Sequence, residues 1–139
     1  MSGKLVDYFN KQPRLGVFST SNKDGLIDSA VYGSPQMIDE KTVIVALGNG
    51  RTAANLQENP NAVYMILEPG AGIHDWKGVR VYLRMKEYAT SGPQLDQWKV
   101  QAVKIIGEEA VEMIHALATF DVTEARPLID LGQGWEKSI

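Results

Sequence analysis

The residues best equipped for chemistry are Gly48, Asn49, Gly50, Arg51, Thr52, Ala53, Ala54 and Asn55, which read GNGRTAAN. They follow the apolar run VIVAL (43–47) and precede a second one, AVYMIL (62–67). A glycine-rich turn opening a helix gathers backbone N–H groups where the helix dipole favours negative charge. Arg51 adds a planar cation able to form two parallel hydrogen bonds to phosphate oxygens. Thr52 offers a hydroxyl at the same point, and Asn55, three residues on, lies on the same side of the helix. Together they point to recognition of a phosphate. A second reading stays open, because threonine is an ordinary helix cap and glycine an ordinary turn residue.

The common nucleotide patterns do not fit these letters. A P-loop needs four residues between its first glycine and a Gly-Lys pair. A dinucleotide fingerprint needs a third glycine, where Ala53 stands. ATP and NAD are therefore not expected at this turn. Elsewhere, His74-Asp75 sits in a glycine-rich loop and could shuttle protons or simply be solvated. His115, beside Met113 and Ile114 at a helix end, reads as a dipole or packing residue. Trp98 reads as a core or interface anchor. No nucleophile–base pair and no paired carboxylates stand out. With two histidines and no cysteine, no metal site is expected.

The elements that must position GNGRTAAN follow from pattern. Leu5, Tyr8 and Phe9 at helical spacing predict a short helix ending before Pro13. Residues 14–20 read as a strand, and Asp24-Gly25 as a hairpin turn. The return strand is expected over 26–38, bent at Gly33 and Pro35. A turn at Asp39-Glu40-Lys41 leads to a third strand, 42–47. The helix from Gly50 should stop near Asn59, since Pro60 drives its predecessor out of the α region. A fourth strand (62–67) and a loop to about Gly78 follow. Val79, Val81, Leu83 and Met85 then alternate with Arg80, Tyr82, Arg84 and Lys86 as a half-buried strand. A longer helix from Gly92-Pro93, a short helix over 108–115, a last strand over 117–123 and an irregular tail complete the chain. Hairpin-joined strands with one inserted helix predict a mainly β fold with peripheral α-helices, an antiparallel closed or split β-barrel.

The chain has 139 residues, 44% apolar and 22% charged, with formal net charge −3. That length and balance predict one globular domain over 1–139. No Lys/Arg run supplies the basic face that a nucleic acid requires. No apolar run approaches the roughly 20 residues of a membrane span. The opening MSGKLVDYFN lacks the apolar core of a secretory signal. A cytoplasmic location, with no nucleic-acid or membrane partner, is the expectation.

Three stretches carry a resemblance. LGVFSTSNKDGLIDSAVYGSPQMIDEKTVIVAL, GNGRTAANLQENPNAVYMIL and VRVYLRMKEYATSG together resemble the pyridoxamine 5′-phosphate oxidase-like, FMN-binding split-barrel superfamily, including its small FMN-binding proteins. The likeness spans about residues 15–91. It implies non-covalent FMN, with Arg51 and Thr52 on the phosphate and Asn49 and Gly50 lending turn backbone. Val31, Tyr32, Gly33 and Ser34 would run along the isoalloxazine, Ala46 and Leu47 would face it, and Arg80 would make a polar ring contact. It also implies a homodimer with the flavin at the subunit interface. Trp135 would then cover a flavin edge across that interface or pin the tail.

Two departures qualify what is implied. Members often carry Arg-Lys where this chain has Arg51-Thr52. The vitamin B6 oxidases use an Arg-x-His element near the C-terminus, and here the region reads Glu124-Ala125-Arg126-Pro127-Leu128. Oxidation of pyridoxamine phosphate is not expected. The leading expectation is an FMN flavoprotein, an oxidoreductase or electron-transfer protein whose substrate or redox partner the sequence does not name. The alternatives are a flavin carrier or redox sensor, or a split barrel holding haem or a deazaflavin.

Overall fold

The computed structural model describes residues 3–139; Met1 and Ser2, the first letters of the opening segment, lie outside the described residues. Helix α1 (Gly3–Asn10) turns Leu5, Tyr8 and Phe9 inward. It is followed by β1 (Gly16–Ser21), β2 (Ile27–Val31), β3 (Gln36–Asp39), β4 (Thr42–Leu47) and α2 (Arg51–Glu58). The second half holds β5 (Asn61–Glu68), β6 (Lys77–Ala89), α3 (Pro93–Glu112) and β7 (Ala116–Pro127). The seven strands form one antiparallel sheet in the order β2-β1-β5-β6-β7-β4-β3. The fold is thus mainly β with peripheral helices.

Strand periodicity decides which side chains fill the interior. Phe18 of β1 stands opposite Tyr64 of β5, and Tyr64 in turn opposite Val81 of β6. Val43, Val45 and Leu47 of β4 stand opposite Phe120, Ala118 and Ala116 of β7. All of these are buried, and α1 and α2 add Phe9, Ala53 and Leu56 to the same core.

The sheet cannot be flat. β2 and β3 are its opposite edges, and seven flat strands would hold them about 29 Å apart, six spacings of about 4.8 Å. Only residues 32–35 join them, and the five peptide steps from Val31 to Gln36 reach at most about 18 Å. The sheet therefore curls into a barrel. Two register shifts between β6 and β7, at Tyr82/Leu83 and Met85/Glu87, supply the bending that bulges provide.

Here the sequence expectation needs correction. Residues 26–38 are not one bent strand but β2 and β3, on opposite edges of the sheet. Gly33 and Pro35 mark a crossing from one edge to the other. β7 also runs to Pro127, so only the residues beyond it form the irregular tail. The second short helix ends at Glu112 rather than at residue 115, after a break at Gly107 (φ 86°).

The crossover is held from inside. Gly16 admits the buried Tyr64 ring, because a Cβ on Gly16 would lie 1.9 Å from the Tyr64 hydroxyl. That hydroxyl donates to the Tyr32 carbonyl at 2.6 Å. Arg14 donates to the carbonyls of Phe9 and Gly33, each at 2.7 Å, with its guanidinium over the Phe9 and Tyr64 rings. Burial lowers the Arg14 pKa from its ordinary value. The far side of α1 is tied by Tyr8, whose hydroxyl donates to the Glu68 carboxylate, with Lys11 Nζ 3.5 Å away.

Gly16→Ala should lower stability by about 1–3 kcal/mol, the usual effect of overfilling a packed interior, read from urea unfolding. A pH effect follows from Glu68. The Tyr8 hydrogen bond, and then Lys11, hold its carboxyl below the usual range. The folded state thus favours the ionised form, and this contribution is present above the ordinary carboxylate pKa of about 4.3. It is lost as pH falls through the lower folded value. Glu68→Gln should therefore flatten the acid limb of stability against pH while leaving its slope near neutrality unchanged.

Candidate functional site

Two features predicted from sequence are brought to the ends of one strand. At one end of β2, Arg51 lies 4.0 Å from Asp28. At the other, β2 runs into the crossover, residues 32–35.

The turn into α2 is built without a side-chain cap. Gly50 is the N-cap residue, in extended conformation, and accepts the first helical hydrogen bond from Ala54 N–H at 3.1 Å. The first amides of a helix have no partner within it. Thr52 is the second helical residue and buried, so it does not cap, which removes the capping half of the alternative reading. Arg51 projects outward with 77% of its side chain exposed, and its contact with Asp28 is a long one. Such pairs contribute little and release their cation readily.

Asn55 faces inward, on the same buried side of α2 as Thr52, rather than towards the turn. It is buried and donates to the Thr20 hydroxyl at 3.0 Å, fastening α2 onto β1. Ala53 and Leu56 enter the core beside it.

The crossover is a fixed shelf of backbone. Tyr32 N–H donates to the Gly16 carbonyl at 3.0 Å, while its carbonyl receives Tyr64 and that of Gly33 receives Arg14. The Ser34 hydroxyl donates to the Ala46 carbonyl of β4 at 2.8 Å, and Asn10 brackets Met37 through both its amide and its carbonyl. Val31 is 70% exposed and Tyr32 partly buried against Phe18. Ala46 and Leu47 are both buried, Leu47 in the barrel core and Ala46 beneath α3 with Leu95 and Leu117.

Beside the shelf, Gly33 and Ser34 line an open groove of ≈ 750 Å³. Ile44 and Leu117 form its floor, and Trp98 and Ile106 of α3 its wall. Asn49, Gly50, Arg51 and Thr52 do not line it.

Arg80 is engaged elsewhere. Its guanidinium donates to the Pro127 carbonyl at 3.0 Å, the Tyr82 hydroxyl at 3.0 Å and Asp130 at 2.8 Å. Arg126 donates to the same Asp130 and to Glu124, which holds the Asp130 carboxyl well below its ordinary range. His74 lies on an exposed turn, its Nε2 3.6 Å from Asp75. Trp135 packs against the barrel core, and Ser138 beside it accepts from Gly78 N–H at 2.7 Å, so this tail is pinned to the start of β6.

Sequence reasoning missed one pair. Tyr88 and His115 are hydrogen-bonded through Oη and Nε2 at 3.0 Å. His115 N–H donates to the Leu47 carbonyl at 2.9 Å, directly before the GNGR turn, and its Nδ1 is buried without a partner among the described residues. Burial, and then Tyr32, raise the Tyr88 pKa. The bulge that shifts β6 by a residue after Met85 turns Tyr88 inward, where strict alternation from Val79 would have turned it outward.

No family model and no curated protein sequence matches this chain. Solved structures do. An FMN-binding protein from Syntrophomonas wolfei subsp. wolfei superposes with TM-score 0.75 at 22% identity, covering 94% of this chain and 86% of that one. A pyridoxamine 5′-phosphate oxidase candidate from Lactobacillus delbrueckii gives 0.62 at 15%, over 90% and 92%. HutZ, the heme storage protein of Vibrio cholerae, gives 0.64 at 16%, over 90% and 94%. These likenesses establish the fold.

Asn55→Ala should lower the stability of the ligand-free protein by about 1–3 kcal/mol, since it leaves the buried Thr20 hydroxyl unpaired. Urea unfolding without any added ligand reads this directly. A residue held for phosphate alone would leave that midpoint unmoved.

Proposed function

We propose that this chain, which has the FMN-binding split-barrel fold of the pyridoxamine 5′-phosphate oxidase-like superfamily, binds FMN without a covalent link and serves as a flavin-dependent oxidoreductase or electron carrier. The observation that carries the reading is the arrangement along β2. An uncapped helix start with an outward arginine lies at one end, and a rigid, uncharged backbone shelf lies at the other. A ligand with an anionic end, an extended polar chain and a flat ring system suits that layout.

In this reading Arg51, with the amides of the α2 turn, holds the phosphate, and Asn49 and Gly50 shape the turn. Val31, Tyr32, Gly33 and Ser34 lie along the ring, with Ala46 and Leu47 closing one side. FMN, once bound, supplies hydride or single-electron transfer, and the chain supplies position and exclusion of water. Bonds from Arg14, Gly16 and Tyr64 keep the shelf still while a ring rests on it. Tyr88 and His115 provide exchangeable protons next to Tyr32 and Leu47. Arg80, engaged by Asp130 and the tail, would contact the ring only on letting go of that carboxylate.

A homodimer belongs to the same proposal. It is supported by the apolar side chains that β2 leaves in solvent, Ile27 at 79% and Val31 at 70% exposed. Pyridoxamine phosphate remains an unsuitable substrate: Arg126, where a phosphate-binding arginine would be sought, is already paired with Glu124 and Asp130. A haem reading is less well supported. No histidine lines the groove, and His115 Nε2 is taken by Tyr88. Among the described residues no helix is long and apolar enough to cross a membrane.

Arg51→Ala should weaken FMN by about ten- to a hundredfold, the loss of a charge-assisted hydrogen bond of roughly 1.5–3 kcal/mol. Riboflavin, which lacks the phosphate, should bind the variant and the wild type alike. Asp28→Asn should tighten FMN, since it removes the carboxylate competing for Arg51. Fluorescence titration of both flavins reads all three. Equal losses for FMN and riboflavin, or none, would remove Arg51 as the phosphate anchor.

A further inference from the structure

The groove beneath α3 carries an inference about what meets the flavin. Its described lining is Gly33, Ser34, Gln36 and Ile44 from the shelf side, Leu117 from β7, and seven residues of α3. None of these side chains is ionisable, although α3 itself carries Asp96, Lys99, Lys104, Glu108, Glu109 and Glu112. The charges of the helix are turned away from this face.

What α3 presents instead is amide and hydrocarbon. Gln94, Gln97 and Gln101 recur at helical spacing on the groove side, with Trp98, Ile105 and Ile106 beside them, and Gln36 faces them from β3. Among the described residues none of the four glutamine amides is spent on a hydrogen bond within the protein. An amide both donates and accepts, so it satisfies carbonyl and hydroxyl groups without supplying the countercharge that an ion needs on leaving water. At ≈ 750 Å³ the groove falls within the usual range for small-molecule sites.

The wall is also unfinished. Of the twenty residues of α3 only Leu95, Ala102 and Val111 are buried, while Ile105 is 84% and Ile106 47% exposed. A ring inserted against Trp98 would cover this apolar surface.

We infer that the groove takes an uncharged ring compound bearing carbonyl or hydroxyl groups, held between the α3 amides and the Gly33–Ser34 shelf as the compound presented to the flavin. This rests on the reading that a flavin lies along that shelf.

Calorimetry with menadione, a neutral quinone, and with its sulfonated, anionic analogue tests the inference. The chain has no cysteine, so the quinones have no thiol to alkylate. FMN is titrated separately into the same preparations. Menadione should bind saturably at one site per chain and at least tenfold more tightly than the sulfonate. Gln101→Arg, at a solvent-exposed position on the groove side of the helix, should narrow that ratio several-fold by favouring the anion and should leave FMN affinity unchanged. Equal affinity for the two quinones, a ratio unmoved by Gln101→Arg, or no saturable menadione binding would overturn the inference. So would a groove closed to the probe by a second copy of the chain. Menadione binding with these properties in a protein that ignores FMN would instead defeat the flavin reading and leave the groove as a site for neutral rings.

Discussion

Six strand spacings lie between β2 and β3, and five peptide steps connect them. That mismatch obliges the sheet to close, and a short stretch of backbone has to lie across the opening in one conformation. Arg14 and Tyr64 enforce it. One guanidinium reaches the end of α1 and the crossover at once, and one phenol, admitted by the missing side chain of Gly16, fixes the neighbouring carbonyl. Both groups are costly to remove from water, and the cost is offset only while every partner is in place. The aromatic rings of Phe9, Phe18 and Tyr64 pack around the same point, so the barrel interior and the shelf on its surface share one set of supports.

The proposed site takes its character from this arrangement. Residues that could touch a ligand lie on the crossover and on the turn before α2, while those that hold them come from α1, β1, β5 and Arg14 in the link between α1 and β1. Precision at such a site depends on the supports more than on the contacting side chains. The Asn55–Thr20 bond plays the corresponding part for the turn. α3 stands apart: it packs through few residues, breaks at Gly107 and leaves isoleucines in solvent. It is the element best able to adjust to whatever occupies the groove.

Much of this could be read from letters. Alternation in VRVYLRM gave the inward face of β6, Asp24-Gly25 the first hairpin, and Pro60 the end of α2, because each rests on local geometry. What the letters did not carry was long-range. Gly33 and Pro35 read the same whether a strand bends or changes edge, and only the pairing of β4 with β7 decides it. The inward turn of Asn55 depends on Thr20, far away in sequence, and the engagement of Arg80 on Pro127 and Asp130 in the tail. Helical spacing correctly placed Asn55 near Thr52, yet a partner on another strand, invisible to spacing, determined what its amide would do.

The pairing of β4 with β7 also has a consequence for how the chain is made. Val43 is matched with Phe120, so the VIVAL segment waits for 77 more residues (120 − 43) before its partner leaves the ribosome. At roughly 5–20 residues per second that is roughly 4–15 s, during which a strand of high β propensity lacks one neighbour. The sequence brackets the segment with Asp39-Glu40-Lys41 on one side and Gly48-Asn49-Gly50 on the other. Charge flanking an unavoidable apolar strand discourages pairing between nascent chains. Order of synthesis thus leaves β4 with one open edge until β7 is made, and the charged turn before it is the part of the sequence that limits mispairing in that interval.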